Sequence, residues 1–366
     1  MTTGLYFHIP FCKQKCNYCD FASFAGRENL ISAYLQALDK SATSAPKREF
    51  STLYVGGGTP SLLSAGQLEE FCALIARHFG PVSHFEESTI EANPESLTAE
   101  KLAVLKRAGF NRISMGLQSF NDAELKTLGR VHNVQTFLSA YSSARNAGFT
   151  NINVDLIAGV PGQSLQSFLD GLQKLVDLHP EHLSVYGLQI EEGTPFFERG
   201  LVCDQLLMRR MLEEAHTRLQ AAGYHHYEIS NFALSGREAK HNTHYWHNCE
   251  YLGVGSGAAS YLGGVRSQNT DDVADFIARI NDGKSPIVYS EKLEGKEHDG
   301  ENLMLGLRLL DGIELTPLQE QLFGKDIEKH IQSGLLERAG KKVKLTLEGL
   351  FLANEVFCSF VAPFDQ

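Results

Sequence analysis

The stretch HIPFCKQKCNYCDF, residues 8–21, holds three of the chain's seven cysteines, at positions 12, 16 and 19. Thiolate sulfur is a soft donor suited to zinc or to iron–sulfur clusters, but structural zinc takes four ligands and this segment supplies three. A [4Fe-4S] cluster fits three thiolates better, because its fourth iron is then left open to a substrate. His8 is the nearby candidate for a fourth ligand. The plainer alternative, a disulfide with a spare thiol, requires an oxidising compartment. The N-terminus MTTGLYFHIP has no basic or long apolar segment, and about 18 consecutive apolar residues occur nowhere, so the expected setting is the reducing cytoplasm. Of the four scattered cysteines, Cys72 and Cys358 sit in apolar helical patterns and read as small core residues, while Cys249 closes the histidine- and aromatic-rich stretch HNTHYWHNC (241–249).

Downstream of the cysteines, short β-rich runs alternate with amphipathic runs of helical period. Strands are expected at residues 4–9, 52–56, 88–93, 112–118, 152–159 and 183–189, with helices between them. Six such units in a row predict an α/β fold, a parallel sheet either open or curled into a barrel. Gly109, Gly148 and Gly223, each in an AGF or AGY step, read as left-handed helix ends. Thr98 and Asn121 read as N-caps, and Glu124 three residues after Asn121 predicts a capping box.

From about residue 290 the pattern reads as three helices, a short hairpin turning at Lys341 and Lys342, and a final helix, which resembles a winged helix. Its candidate recognition helix carries Asp326, Glu328, Lys329 and His330, with no surplus of base, and the whole chain has a net charge of −11. Nucleic acid is therefore not an expected partner. With 366 residues, 43 % apolar and 21 % charged, the chain is an ordinary globular protein of more than one domain.

Cys12-x3-Cys16-x2-Cys19, with Tyr18 before the last cysteine, resembles the signature of radical S-adenosylmethionine (SAM) enzymes. In that family the open iron binds the methionine amino and carboxylate groups of SAM, and an electron from the cluster cleaves the sulfonium to give a 5′-deoxyadenosyl radical. The resemblance implies a partial parallel (β/α)6 TIM-like barrel, with functional residues beyond the C-terminal ends of its strands. GGGTPS (56–61) then corresponds to the segment that holds the SAM amino group, pointing to Gly57, Gly58 and Thr59. Arg130 would meet the SAM carboxylate, and Glu91 and Gln118 its ribose hydroxyls. Asp155 would lie near the sulfonium, with Tyr6 and Tyr18 flanking the adenine or methionine. Taken singly, each charged residue reads equally well as a rim ion pair.

YFHIPFCKQKCNYCDF, YVGGGTPS, EANPES, GLQSFN, DLIAGVPGQ and the C-terminal region together resemble the HemN-type family over essentially the whole chain. One branch of that family is the oxygen-independent coproporphyrinogen III oxidases and another is a group of haem chaperones. The oxidase pattern has a fourth cysteine two residues past the third, where this chain has Phe21. HNTHYW (241–246) matches the HNxxYW signature of the chaperone branch. That match implies a haem-contacting loop in which His241, Asn242, Tyr245 and Trp246 are candidate contacts, since imidazole ligates haem iron and aromatic rings pack on porphyrin. The plainer reading is a loop that packs Tyr245 and Trp246 against the barrel.

The expected organisation is a barrel domain over 1–235, a haem-contacting connection over 236–285 and a C-terminal winged-helix-like α+β domain over 286–366. The expected function is a haem chaperone with a [4Fe-4S] cluster and SAM that delivers haem to acceptor proteins such as those of respiratory chains. It would need a reductant and would touch the membrane surface at most transiently. The alternative is radical decarboxylation of coproporphyrinogen III propionates.

Overall fold

The computed structural model describes residues 3–362. Six parallel strands lie side by side in chain order: β1 (Thr3–Ile9), β2 (Phe50–Gly57), β3 (Glu87–Ala92), β4 (Arg112–Gln118), β5 (Ile152–Ala158) and β6 (His182–Gly187). Their bounds fall within two residues of those expected from the period of the sequence. Side chains of β2 to β6 line one common cavity, so the sheet curls around a lumen without closing. The far edge of β6 pairs with the hairpin β7 (His225–Glu228) and β8 (Asn231–Ala233).

The other flank was not foreseen. Beyond β1 lies a parallel strand, β9 (Tyr251–Val254), continued by the antiparallel meander β10 (Ala259–Leu262), β11 (Val265–Asn269) and β12 (Ile287–Lys292), with α9 (Val273–Asn281) between the last two. The boundary expected at residue 286 cuts through this meander, because Val265 pairs with Lys292 and Asn269 with Ile287. The strand is short and wholly exposed, so it lacks the alternation that would have marked it.

Between the strands run α1 (Ile31–Thr43), α2 (Ala65–Phe79), α3 (Ala99–Ala108), α4 (Asp122–Leu128), α5 (Val134–Asn146), α6 (Leu165–Asp177) and α7 (Gln205–Ala221). In α2, Leu68, Phe71, Cys72 and Ile75 recur at helical spacing and are buried, and Phe71 meets Phe7 of β1 edge to face at 5.2 Å. Each buried ring of this kind contributes about 1.5–3 kcal/mol. Gly109 ends α3 at φ +108°, where a Cβ would lie 2.6 Å from the Ser83 nitrogen, so position 109 admits only glycine.

Thr98 and Asn121 cap their helices as expected, but Glu124 does not complete a capping box. Its carboxylate is buried instead, accepting hydrogen bonds from Ser119 Oγ (2.5 Å), Ser167 Oγ (2.6 Å) and Gln163 Nε2 (2.8 Å). That arrangement ties the end of β4 to the loop after β5.

The C-terminal region has its own core, with Leu303, Leu307, Phe323, Ile327, Val343 and Phe360 all buried. Its elements run α10 (Gly295–Gly306), β13 (Ile313–Glu314), α11 (Pro317–Gln332), β14 (Leu336–Ala339) and β15 (Lys342–Leu345). Three helices were expected before the hairpin and two are present. Residues 317–332 form the single helix α11 with Gly324 inside it, where Phe323 and Ile327 on the core face outweigh the roughly 1 kcal/mol that an interior glycine costs. The hairpin turns on Gly340 and Lys341, one residue earlier than expected. Cys358, expected in the core, is exposed on a final 3-10 turn, while Val356, Phe357 and Phe360 around it point inward.

Candidate functional site: the mouth and the floor of the barrel

The cysteine loop leaves the C-terminal end of β1. Phe11–Cys12 pairs with Phe24–Ala25, pinching the loop at its base. Further along, Gln14 Nε2 and Asn17 Nδ2 donate to the carbonyls of Gly129 and Thr127, and the Asn17 N–H donates to Leu128 O. These bonds strap the loop to the end of α4. Gly129 stands at φ +76° with Asn17 against it, at a place where a Cβ would crowd the strap.

Cys12, Cys16 and Cys19 are free thiols lining the lumen, a cavity of about 440 Å³. Cys12 Sγ is 3.4 Å from Thr59 Oγ1, and Arg130 Nη1 donates to Cys16 Sγ at 3.5 Å. Burial pushes the Cys12 and Cys19 thiols above the usual thiol range, so binding a metal group there must displace protons. Among the described residues no three His, Cys, Asp or Glu side chains are gathered tightly enough to hold one metal ion. Three separate thiolates on one loop suit a polynuclear cluster, which has a separate corner for each, and Arg130 supplies compensating charge. His8 is not available as a fourth ligand. Its Nε2–H donates to Ala22 O (2.8 Å) and its Nδ1 accepts from the Tyr6 hydroxyl (2.9 Å), while burial lowers its pKa and keeps it neutral.

The glycine turn closes the next side. Gly57 has φ +108°, and a Cβ there would lie 2.6 Å from the His8 ring; one on Gly58 would lie 2.8 Å from Phe11 O. The N–H groups of Gly57, Gly58 and Thr59 are all spent, on Glu91 Oε2 (3.2 Å), Ile9 O (2.9 Å) and Phe11 O (2.8 Å). What the turn has left for a ligand is carbonyl oxygen, the acceptor an ammonium group needs.

Glu91 accepts from Tyr54 OH (2.7 Å), and burial, reinforced by Asp155, pushes its pKa up to about 7. Asp155 takes a hydrogen bond from Asn153 Nδ2 (2.7 Å), and burial raises its pKa also. Gln118 ends β4 at φ +74°, strained for a side chain of its size, at a shift in the pairing register. Arg130 follows α4 in the chain, and its guanidinium reaches back to the C-terminal ends of β3 and β4. Asn93 Oδ1 (2.6 Å) and Gly116 O (2.9 Å) hold its Nη2, so three of its five N–H groups are placed. Burial would lower the Arg130 pKa, but Tyr18, Cys16 and Glu95 outweigh it and the guanidinium stays charged.

Gly57, Gly58, Thr59, Glu91, Gln118, Arg130, Asp155 and Tyr18 thus share the lumen with the three cysteines. Tyr6 does not. Because β1 is flanked by β9 rather than left as an edge, Tyr6 faces a second cavity of about 560 Å³ on that side, walled also by Tyr245, Trp246, Tyr251, Arg266 and Leu305.

HNTHYW forms a helix, α8 (Lys240–Trp246), where a loop was expected. The carboxylate of Glu87, at the first position of β3, accepts the N–H groups of Lys240 and His241 (both 3.0 Å) and so caps it from outside. The contacts of α8 fall on Gly4, Thr52 and Glu87, near the N-terminal ends of the strands, so this segment plugs the floor. His241 has no exposed surface. Its Nδ1 pairs with Thr52 Oγ1 and its Nε2 with Tyr245 OH (both 2.8 Å), its ring stacks on Tyr54 at 5.3 Å, and burial lowers its pKa to about 3. Of the four expected haem contacts, Asn242 lines the lumen, Tyr245 and Trp246 line the second cavity, and His241 reaches neither.

Several lumen residues were missed. Arg112, buried with its Nε unpartnered, and Asn153, His182 and Ser184 form a polar lower layer. Their signal was alternation: Arg112, Ser114 and Gly116, or His182, Ser184 and Tyr186, put polar or small residues on one face of otherwise apolar strands.

A curled parallel sheet with three cysteines and a glycine turn at its mouth defines the radical SAM class, and residues 6–175 match the family model of the radical SAM superfamily. Residues 293–352 match the HemN C-terminal domain. The chain is 37 % identical to the heme chaperone HemW of Bacillus subtilis (strain 168), covering 97 % of this chain and 98 % of that protein. It is 34 % identical to the heme chaperone HemW of Escherichia coli (strain K12), covering 98 % of each. The chain belongs to the HemW family of radical SAM proteins. Among solved structures it superposes on the coproporphyrinogen III oxidase HemN from Escherichia coli with a TM-score of 0.87 at 24 % identity, over 99 % of this chain and 90 % of that one.

Proposed function

We propose that the protein is a haem chaperone that carries a [4Fe-4S] cluster and SAM and passes haem to acceptor proteins, including respiratory ones. The observation that carries this is the likeness, over almost the full length, to proteins named heme chaperone HemW. Phe21 at the oxidase's fourth-cysteine position points the same way.

In this reading Cys12, Cys16 and Cys19 hold the cluster, which when bound supplies the electron that cleaves SAM. The carbonyls of the Gly57–Thr59 turn take the SAM ammonium, and the N–H groups of Arg130 still free take its carboxylate. Glu91 and Gln118 meet the ribose, Asp155 faces the sulfonium, and Tyr18 packs beside them. A reductant is required. Among the described residues no helix is long and apolar enough to cross a membrane, which is compatible with a cytoplasmic carrier that meets membranes only in passing. The two cores support a division into a barrel unit and a C-terminal unit, with the meander belonging to the first.

The test is a haem titration of the anaerobically reconstituted protein beside a turnover assay with coproporphyrinogen III, SAM and reductant. Haem binding without turnover is expected, and sustained decarboxylation would replace this reading with the oxidase.

A further inference from the structure

The second cavity has dimensions and walls that no part of the SAM site explains. It opens to solvent between β1, the meander and α10, and it shares Phe21, Gly57 and Glu91 with the lumen. Its volume of about 560 Å³ and its rings, Tyr245, Trp246 and Tyr251, suit a flat aromatic ligand. One cation, Arg266, stands among them.

The groups in its wall able to ligate iron can be separated by their existing bonds. His8 has both nitrogens engaged. Tyr6 gives its proton to His8 and sits near the carboxylate of Glu91, the wrong sign of charge beside a phenolate. Tyr245 is tied to His241 Nε2. Tyr251 differs from all of these. Its hydroxyl oxygen has a single hydrogen-bond partner, Arg266 Nη1 at 3.2 Å, which can only donate. Among the described residues the Tyr251 proton is therefore committed to no acceptor, and the Arg266 guanidinium stands beside its oxygen. Burial, with Glu301 on the far side of Arg266, raises the pKa of the free phenol, so the proton is held until iron displaces it. Arg266 is itself fixed by Glu301 (2.7 Å) and Asn248 Oδ1 (2.9 Å), and the Tyr251 ring is braced edge to face on Tyr245 at 4.7 Å.

We propose that this chamber is the seat of ferric haem, with the Tyr251 phenolate as the iron ligand and Arg266 as the group that orients and balances it. The proposal rests on the haem-carrier reading. The Fe–O bond forms as the phenol O–H gives its proton to solvent, and no electron is exchanged. Tyrosinate is an established type of haem-iron ligand. The floor histidine of HNTHYW takes no part, and that motif contributes through the rings of Tyr245 and Trp246.

The experiment is a ferric haem titration of the full-length, cluster-loaded protein, read by visible absorbance and resonance Raman. Wild type is expected to show tyrosinate vibrations. Tyr251→Phe should lose them and bind haem more weakly, Tyr251→His should replace them with an imidazole-type spectrum, and Arg266→Gln should weaken binding by about 10- to 100-fold, the usual loss for a partner of a metal ligand. Retained cluster absorbance in each variant verifies its fold. If haem binds and neither Tyr251 variant changes the spectrum, the ligand assignment is overturned and the carrier reading stands. If wild type binds no haem, the carrier reading itself fails.

Discussion

At the floor of the barrel His241 is enclosed, with both nitrogens bonded and a ring stacked on its face. At the mouth, on the same strands, three thiols, a carboxylate titrating near neutrality and a glutamine at positive φ surround a cavity. Both regions are rich in residues that perform chemistry. They differ in what those residues are bonded to: at the floor His241 has both ring nitrogens satisfied by protein partners, whereas the mouth holds groups in costly states that a ligand would relieve.

The largest difference between mouth and floor is expected at the cysteines. Replacing Cys12, Cys16 or Cys19 by alanine is expected to abolish cluster absorbance after reconstitution, whereas Cys72→Ala and Cys249→Ala should keep it. A cluster that survives loss of Cys16 would show that the three thiols at the mouth are not its ligands.

Next in size, Gly57→Ala should be destabilised by about 1–3 kcal/mol through strain at positive φ and should lose SAM binding, because the new Cβ displaces the His8 ring. Thermal melts and a SAM titration measure the two effects separately.

His241→Ala tests the floor. It leaves a cavity beside Tyr54 and strips Thr52 and Tyr245 of a partner, so a loss of about 2–4 kcal/mol in stability is expected, with haem affinity unchanged. Weaker haem binding in a variant that remains folded would return His241 to the binding site.

The smallest effect is one of pH. Because burial raises the Glu91 pKa from 4.5 to about 7, the folded protein holds this proton more tightly than the unfolded chain does. Its contribution to stability is full below the unfolded value and is lost as pH rises through about 7. Denaturant unfolding of the ligand-free protein should show that decline, and Glu91→Gln should remove it.

The periodicity of the chain disclosed all six barrel strands, and the cysteine spacing disclosed the mouth, because both are local patterns set by regular geometry. What stayed hidden depended on contacts across the sequence. The helical state of HNTHYW is fixed by Glu87, more than 150 residues earlier, and no local rule predicts a cap from another strand. Tyr6 left the lumen because β9 pairs with β1 from the far side of the chain. Arg266 and Tyr251 carried no motif, and they acquire meaning only when the meander folds them against Tyr245.

The clasp at His8 bears on how this mouth responds to its surroundings. Its ring joins the wall at Tyr6 to the exit of the cysteine loop at Ala22, and it does so as a neutral imidazole whose pKa burial holds low. As pH falls from neutral, therefore, Glu91, which donates nothing to this clasp and lies across Gly57 from it, takes up its proton ahead of the His8 ring, whose pKa burial pushes downward. The protein can let protons come and go in the lumen while the anchorage of its thiols stays electrically silent.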